Sequence, residues 1–450
     1  MRILLISTYE LGRQPFGLAS PAAWLRAEGH QVTQVDVSRM MLPAVRETDL
    51  VAFFLPMHTA TRIALPLIEK IRATSQAHLC AYGLYAALNQ ELLRRAGVES
   101  IIGGEFEQPL VDLCRRLSGP AENGSAENGS AENPGLTSLA RQQFQVPDRT
   151  GLPPLAQYTR LVIHGERRLA GYTEASRGCK HLCRHCPVVP VYQGAFRIVQ
   201  REIVLEDIRR QVAGGARHIT FGDPDFFNGP GHAIPIIEAL HQQWPFLTYD
   251  VTIKIEHLVR HRALLPKLRT TGCLFITSAV ESLEDAVLDK LAKGHTRRDF
   301  LVALGLVKEA GLLLSPTFIP FTPWTTLESY RSFLRELSEL ALSAQVAPVQ
   351  LAIRLLIPEG SLLLELPEIR SRLEEFDPRA LSYRWRSEDP AVDKLQRRLE
   401  QLIPREERRQ RTREEIFQSV SHVAGTGSVS CDQPRAARVT IPYLTEPWYC

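Results

Sequence analysis

Short apolar runs alternate with stretches of helical periodicity through residues 1–117, and this alternation confines the chain to a layered α/β architecture. The runs fall at 2–7 (RILLIS), 31–35 (QVTQV), 49–55 (DLVAFFL), 78–83 (HLCAYG) and 100–104 (SIIGG). Each has the length and apolar composition of a buried strand. Between them, 59–74 and 85–96 carry apolar residues at helical spacing, and Gly29 and Gly97 stand where helix C-caps belong. Five such units predict a parallel sheet covered on both faces, the doubly wound fold.

The pattern stops at 119–135, where AENGS occurs twice in succession and a third AEN follows. So small and polar a stretch has no core-forming residues and reads as a linker. From about 170 the alternation resumes, with strands expected at 171–176, 217–221, 247–254, 273–278, 312–318 and 349–355. Six strand–helix units predict a partial (β/α)6 barrel with its working face at the C-terminal strand ends. Beyond 360 the sequence is charged and helical (391–402, 405–419), then Gly/Ser-rich near 424–430. The expected organisation is a doubly wound domain at 1–118, a linker at 119–135, the barrel at 136–360 and a helical extension with a cysteine-containing tail at 361–450.

The formal net charge of +3 is too small to argue for nucleic acid or an anionic membrane surface, and no apolar run is long enough to span a bilayer. The N-terminus is apolar only as far as a strand would need, so a cytoplasmic location is expected. Of eight cysteines, Cys179, Cys183 and Cys186 fall within eight residues of one another. A disulfide framework is not spaced in this way, and clustered reduced thiols point to a metal.

The segment 171–186, GYTEASRGCKHLCRHC, spaces its cysteines as Cys-x3-Cys-x2-Cys just after an expected strand. Three thiolates on one loop suit three irons of a [4Fe–4S] cube and leave the fourth iron open. Zinc needs four ligands and usually takes Cys-x2-Cys pairs; His181 and His185 are the nearby residues that could complete such a site.

This motif resembles the radical S-adenosylmethionine (SAM) superfamily. The resemblance implies that the open iron binds SAM and that one electron, from a donor such as flavodoxin or ferredoxin, cleaves it to a 5′-deoxyadenosyl radical. It assigns further SAM contacts by position. His185 precedes the last cysteine, where the family usually has an aromatic residue. Gly222 and Asp223 follow the second barrel strand in place of the usual Gly-Gly-Glu, although an Asp/Pro turn accounts for them equally. Ser278 and Glu281 in SAVES would meet the ribose hydroxyls, and Arg354 would meet a carboxylate of SAM or substrate unless a structural Asp or Glu claims it.

A doubly wound domain ahead of such a barrel resembles the cobalamin-binding domain of the B12-dependent radical SAM group. The resemblance places a corrinoid on the loops after the strands, near Tyr9, Gly12, His58, Thr59, Gly83, Gly103 and Gly104. The Asp-x-His-x-x-Gly signature of His-ligated cobalamin is absent, and His58 also reads as a helix-start residue. Methylthiotransferases carry three cysteines in this domain, whereas here there are two: Cys80 within a strand and Cys114 within a helix, both core-like.

The whole pattern, with EASRGCKHLCRHCPVVPVYQG, FGDPDFFNG, KIEHL, SAVES, IRLLIPEGSLL and the terminal EPWYC, resembles the CUAEP/CCAEP-tail radical SAM proteins. It implies methyl or alkyl transfer to a small-molecule or metalloid substrate. Aminocarboxypropyl transfer to a soft metalloid such as arsenic is an alternative, and a non-catalytic Fe–S or corrinoid carrier is another. In that group the tail continues past the cysteine with cysteine or selenocysteine, so Cys450, alone or with Cys431, is expected to begin a soft-ligand site cut short at a UGA codon. Sequencing the gene past the Cys450 codon tests this. UGA followed by codons for Ala, Glu and Pro is the expected result, and any other stop codon refutes it.

Overall fold

The structure is a computed structural model that describes residues 1–119, 137–163, 165–426 and 443–444. All of the expected linker except Gly119, together with Cys431 and Cys450, lies outside these residues.

Five strands, β1 (Arg2–Ser7), β2 (Gln31–Asp36), β3 (Leu50–Phe54), β4 (His78–Tyr82) and β5 (Ser100–Gly104), form a parallel sheet in the order β2-β1-β3-β4-β5. Strand periodicity sorts their side chains to two faces. Ile3, Leu5, Ala52, Phe54 and Tyr82 pack under α1 (Phe16–Ala27) and α5 (Glu107–Ser118). Leu4, Ile6, Val51, Phe53 and Ala81 pack under α2 (His58–Arg72), α3 (Leu84–Leu88) and α4 (Gln90–Arg95). This is the doubly wound arrangement, with its strand-order reversal between β1 and β3. The chain past 136 first returns to this sheet as β6 (Thr137–Ser138), which pairs with Gly103 and Gly104 of β5.

The second sheet begins with an antiparallel hairpin, β7 (Arg160–Ile163) and β8 (Glu166–Thr173), and the next strand of the chain, β9 (Ser176–Gly178), stands outside that sheet and leads into the cysteine loop. Next come α6 (Val188–Tyr192), β10 (Phe196–Ile198), which pairs with β9, and α7 (Arg201–Ala213). Parallel strands β11 (His218–Phe221), β12 (Thr248–Thr252), β13 (Cys273–Glu281) and β14 (Leu313–Phe318) extend the sheet from β8. The connecting helices are α8 (Pro230–Gln243), α9 (Ile255–Arg260), α10 (Leu265–Thr270), α11 (Asp285–Lys290) and α12 (Arg297–Glu309), and α13 (Leu327–Glu339) follows β14. The sheet curls into a half-barrel, for Leu161 and Ile163 of β7 pack against Phe275 of β13 across it.

The sixth strand expected at 349–355 is reduced to a single parallel bridge, Phe321 to Arg354. Residues Pro348–Leu351 form a tight helical turn instead. The Gln350 side chain accepts the Phe318 N–H at 2.9 Å, so it occupies the β14 edge that a strand would need. The C-terminal part adds a short helix α14 (Pro367–Arg370) and an unanticipated hairpin, β15 (Leu373–Asp377) and β16 (Ser382–Trp385). Helices α15 (Pro390–Arg408) and α16 (Arg413–Ala424) bury Leu399, Ile403, Phe417 and Val420 in the barrel core, and β17 (Tyr443–Leu444) adds to β7.

A contact from α6 joins the two sheets. Val191 and Tyr192 of α6, five and six residues past Cys186, belong to the α2-side core of the N-terminal sheet. On the other face, α1 lies against β3 so closely that a Cβ on Gly17 would stand 2.1 Å from the Phe54 ring. Gly17→Ala is therefore expected to destabilise the chain by about 2 kcal/mol through overpacking. An unchanged urea midpoint would refute that packing.

Candidate functional site

The cysteine loop starts at a turn that demands glycine. Gly178 has φ +71°, and a Cβ there would lie 2.4 Å from the Ala195 carbonyl oxygen. The loop is then fixed from three sides. Lys180 Nζ donates to the Asn228 carbonyl at 2.6 Å, Arg184 N–H donates to the Leu291 carbonyl at 2.9 Å, and Cys186 N–H closes a turn on the Cys183 carbonyl at 3.1 Å. This brings Cys179, Cys183 and Cys186 together as free thiols that oppose one another's ionisation. Burial pushes the Cys186 thiol up to about 12, with its two neighbours adding to the shift, and Lys293 pulls in the opposite direction.

Lys293, which the sequence reading missed, is the buried cation of this site. It lies beside Cys183 and Cys186, and its ammonium stands 3.4 Å from Glu281 Oε1. His185 Nε2 lies 3.1 Å from the same oxygen. Glu281 sits at the β13 bulge with φ +71°, which swings its carboxylate between them. Burial would raise its pKa, but Lys293 and His185 outweigh that and hold it at about 2. Ser278 is fully buried, and its hydroxyl has no hydrogen-bond partner.

The other expected SAM residues have structural partners. Asp223 accepts from the Ala175 N–H at 3.0 Å and from the Ser176 hydroxyl, which fixes the strand leading to Cys179. Its burial raises the carboxyl to about 7. At Gly222 a Cβ would lie 1.9 Å from the Tyr172 hydroxyl, so the missing side chain makes room for that ring. Arg354 donates to Asp393 at 2.6 Å and to the Trp385 carbonyl, and its guanidinium lies 3.5 Å over the Trp385 ring. The structural carboxylate allowed for in the sequence is thus Asp393.

The residues expected near a corrinoid have local surroundings of their own. His58 Nε2 donates to the Ala380 carbonyl in the β15–β16 turn. Gly104 (φ +70°) faces the Ser138 carbonyl oxygen 2.3 Å from where a Cβ would be, and Gly83 (φ +102°) packs against Leu55 O and the Phe54 ring. Gly103 pairs with Thr137 in the sheet. Gly12 (φ +66°) offers its carbonyl to the Thr159 N–H at 2.8 Å. Tyr9 packs on Leu11, Met57 and Ala60, and Thr59 is half-buried in α2. At the end of β1 and just past it, Ser7 Oγ, Glu10 Oε2 and Arg13 Nε are buried without a hydrogen-bond partner. Cys80 and Cys114 are fully buried, and burial pushes both thiols up.

A buried ionic cluster, also missed in the sequence, fastens this site to the N-terminal sheet. Arg177, two residues before Cys179, donates to Glu107 through both terminal nitrogens at 2.8 and 2.7 Å, to Glu105 at 3.2 Å and to Glu174 at 2.7 Å. One cation cannot neutralise three buried carboxylates, and burial raises Glu105 to about 7. Tyr192 donates to Glu105 at 3.1 Å.

The Lys293–Glu281 pair gives a direct test. Lys293→Met leaves a buried carboxylate without its cation and is expected to cost about 3 kcal/mol of stability at pH 7. Adding Glu281→Gln should recover part of that loss. Because Glu281 titrates below its ordinary value of 4.5, its contribution is present above pH 4.5 and fades as pH falls towards 2. Urea titrations of the cluster-free chain would measure both effects. Equal losses in the single and double variants would show that the pair is not coupled.

Residues 173–337 match the profile of the Radical SAM superfamily. The chain is 25% identical over 283 residues to tRNA-2-methylthio-N(6)-dimethylallyladenosine synthase of Desulfosudis oleivorans, covering 61% of this chain and 59% of that protein. It is 23% identical over 188 residues to hopanoid C-3 methylase of Methylococcus capsulatus, covering 41% and 36%. It therefore spans less than two thirds of either relative. In fold it is similar to the cobalamin-dependent SAM radical enzyme OxsB, solved with aqua-cobalamin and SAM bound. The TM-score is 0.66 at 16% identity, over 88% of this chain and 66% of that one. It is also similar to the radical SAM methyltransferase TsrM of Kitasatospora setae, solved with tryptophan and a SAM analogue bound. Here the TM-score is 0.61 at 16% identity, over 85% and 82%. With its three converging thiols on the loop after β9, the segment 173–337 is a Radical SAM domain, joined to a doubly wound sheet in the fold of cobalamin-dependent radical SAM enzymes.

Proposed function

We propose that this chain is a radical SAM enzyme that transfers a methyl or alkyl group to a small-molecule or metalloid substrate, with Cys179, Cys183 and Cys186 holding a [4Fe–4S] cluster and a corrinoid bound over the N-terminal sheet. The observation that carries the reading is the meeting of three free thiols with one buried cation, Lys293, which suits an anionic thiolate-bound cluster. When bound, such a cluster supplies one-electron cleavage of SAM, and a corrinoid supplies a carrier for the alkyl group.

The chain's own residues orient and neutralise. Lys293 offsets thiolate charge beside Cys183 and Cys186. Glu281, kept ionised, fixes the His185 ring against the cysteine loop. Ser278 offers its free hydroxyl on the strand where the SAM ribose contact is expected. For the corrinoid, support comes from the unpaired Ser7, Glu10 and Arg13 atoms at the C-terminal end of β1, beside the β1/β3 reversal where doubly wound sheets bind ligands. A corrin's amide side chains are groups that could satisfy such atoms.

The full-length chain, reconstituted anaerobically with iron and sulfide, should show thiolate-to-iron absorbance. With dithionite and SAM it should release 5′-deoxyadenosine. Cys179→Ala, Cys183→Ala and Cys186→Ala should each lose the absorbance, and Cys273→Ala should keep it. Full iron in any of the three variants would refute the cluster assignment. Methylthioadenosine as the main product would replace alkyl transfer by aminocarboxypropyl transfer, and a cluster without SAM cleavage would leave a carrier. Hydroxocobalamin should co-elute with the chain on gel filtration, and complete separation would remove the corrinoid.

A further inference from the structure

Beside the three thiols, a second set of ligand atoms converges. His181 comes from the cysteine loop, Asp225 from the turn after β11 and His257 from α9 after β12. Asp225 Oδ2 stands 2.7 Å from His257 Nδ1 and 3.5 Å from His181 Nε2, and the three atoms all lie within 4.8 Å of one another. Close as they are, none of the three makes a hydrogen bond of acceptable geometry. Asp225 is 1% exposed and His257 6%, so water is not a ready substitute. A buried carboxylate oxygen with no donor is costly unless a cation meets it.

The surroundings are those of a ligand set. Asp225 Oδ1 accepts the Phe227 N–H at 3.1 Å, which fixes the carboxylate and leaves Oδ2 turned towards the two imidazoles. Glu256 Oε2 lies 3.6 Å from the opposite nitrogen of the His181 ring, the side from which carboxylates orient ligating histidines. The neighbouring ammonium, Lys254 Nζ, stands 3.6 Å from that same Glu256 oxygen. Donor atoms sharing one zinc ion stand about 3–3.5 Å apart when each bond is about 2.0–2.2 Å. The observed spacings need little adjustment to meet that.

We propose that His181, Asp225 and His257 bind one divalent cation of the zinc or ferrous class, separate from the cysteine site. Two imidazoles and one carboxylate leave coordination positions open, and the His181 side chain, 15% exposed, marks the side from which water or a substrate donor atom enters. The ion would tie the cysteine loop to the turns after two barrel strands. The inference does not depend on the cysteines holding a cluster.

Zinc is the probe. Full-length chain is incubated anaerobically with Zn2+, passed through a desalting column and analysed for metal, with circular dichroism confirming the fold. About one zinc per chain is expected, and the same amount in a Cys179→Ser/Cys183→Ser/Cys186→Ser variant. Zinc K-edge absorption of that variant should show nitrogen and oxygen neighbours without sulfur. His257→Ala and Asp225→Asn, which lie on different elements, should each lower bound zinc at least tenfold, while His261→Ala, whose ring stands 5.5 Å from that of His257 but outside the set, keeps it. Should one of the first two variants misfold, the other decides. Zinc at background in the triple-serine variant, sulfur in its first shell, or full retention in a folded His257→Ala or Asp225→Asn chain would overturn the proposal. Failure of the cysteine cluster alone would leave it standing.

Discussion

The guanidinium of Arg177 is the point on which the two sheets and the cysteine loop depend together. It is 5% exposed and reaches Glu105 and Glu107 between β5 and the start of α5, Glu174 in the turn between β8 and β9, and the faces of Phe106 and Phe144 at 4.7 and 5.0 Å. The bidentate bond to Glu107 fixes the direction in which β9 leaves the sheet, and Cys179 follows two residues later. A buried ion pair adds little net stability over an apolar contact, but it tolerates few alternative geometries. Its role here is therefore one of register between two sheets.

The residues around the loop carry the same division of labour inward. Asp223 grips the strand before Cys179, Gly222 clears space for Tyr172, and Tyr172 in turn accepts the Arg13 cation over its ring at 4.7 Å. By position in the sequence, Gly222 and Asp223 correspond to the loop that the superfamily uses for SAM, with an Asp/Pro turn an equal account of them. Here they set the frame from which Cys179, Ser278 and Glu281 project. Among the residues expected to contact SAM, Ser278 has a hydroxyl without a protein partner.

The elements legible in the sequence were those with strict periodicity. All five N-terminal strands stand within a residue or two of the expected spans, since strands buried on both faces must be apolar throughout. The cysteine loop was legible because its chemistry is local. Other features were hidden because they depend on side chains far apart in sequence. Lys293 meets Glu281 from just past the far end of α11 and the thiols from a distant part of the chain, Arg177 meets Glu107 across 70 residues, and Gln350 replaces a strand by capping the β14 edge with its amide oxygen. The hairpin 373–385 lacked any pattern that set it apart from its charged surroundings. The motifs containing Asp225 and His257 were visible, but their convergence was not.

The docking of α6 has a consequence for modular exchange. Tyr192 and Val191 complete the core under α2 and α3, and both are encoded on the far side of the cysteine motif from the sheet they fill. Cutting the chain in the low-complexity segment would leave the N-terminal sheet with an open hollow and the barrel with two stranded apolar side chains. The segment after Cys186 thus acts as a keystone whose length is fixed at both ends. A graft of another doubly wound unit onto this barrel would have to bring a matching socket for it.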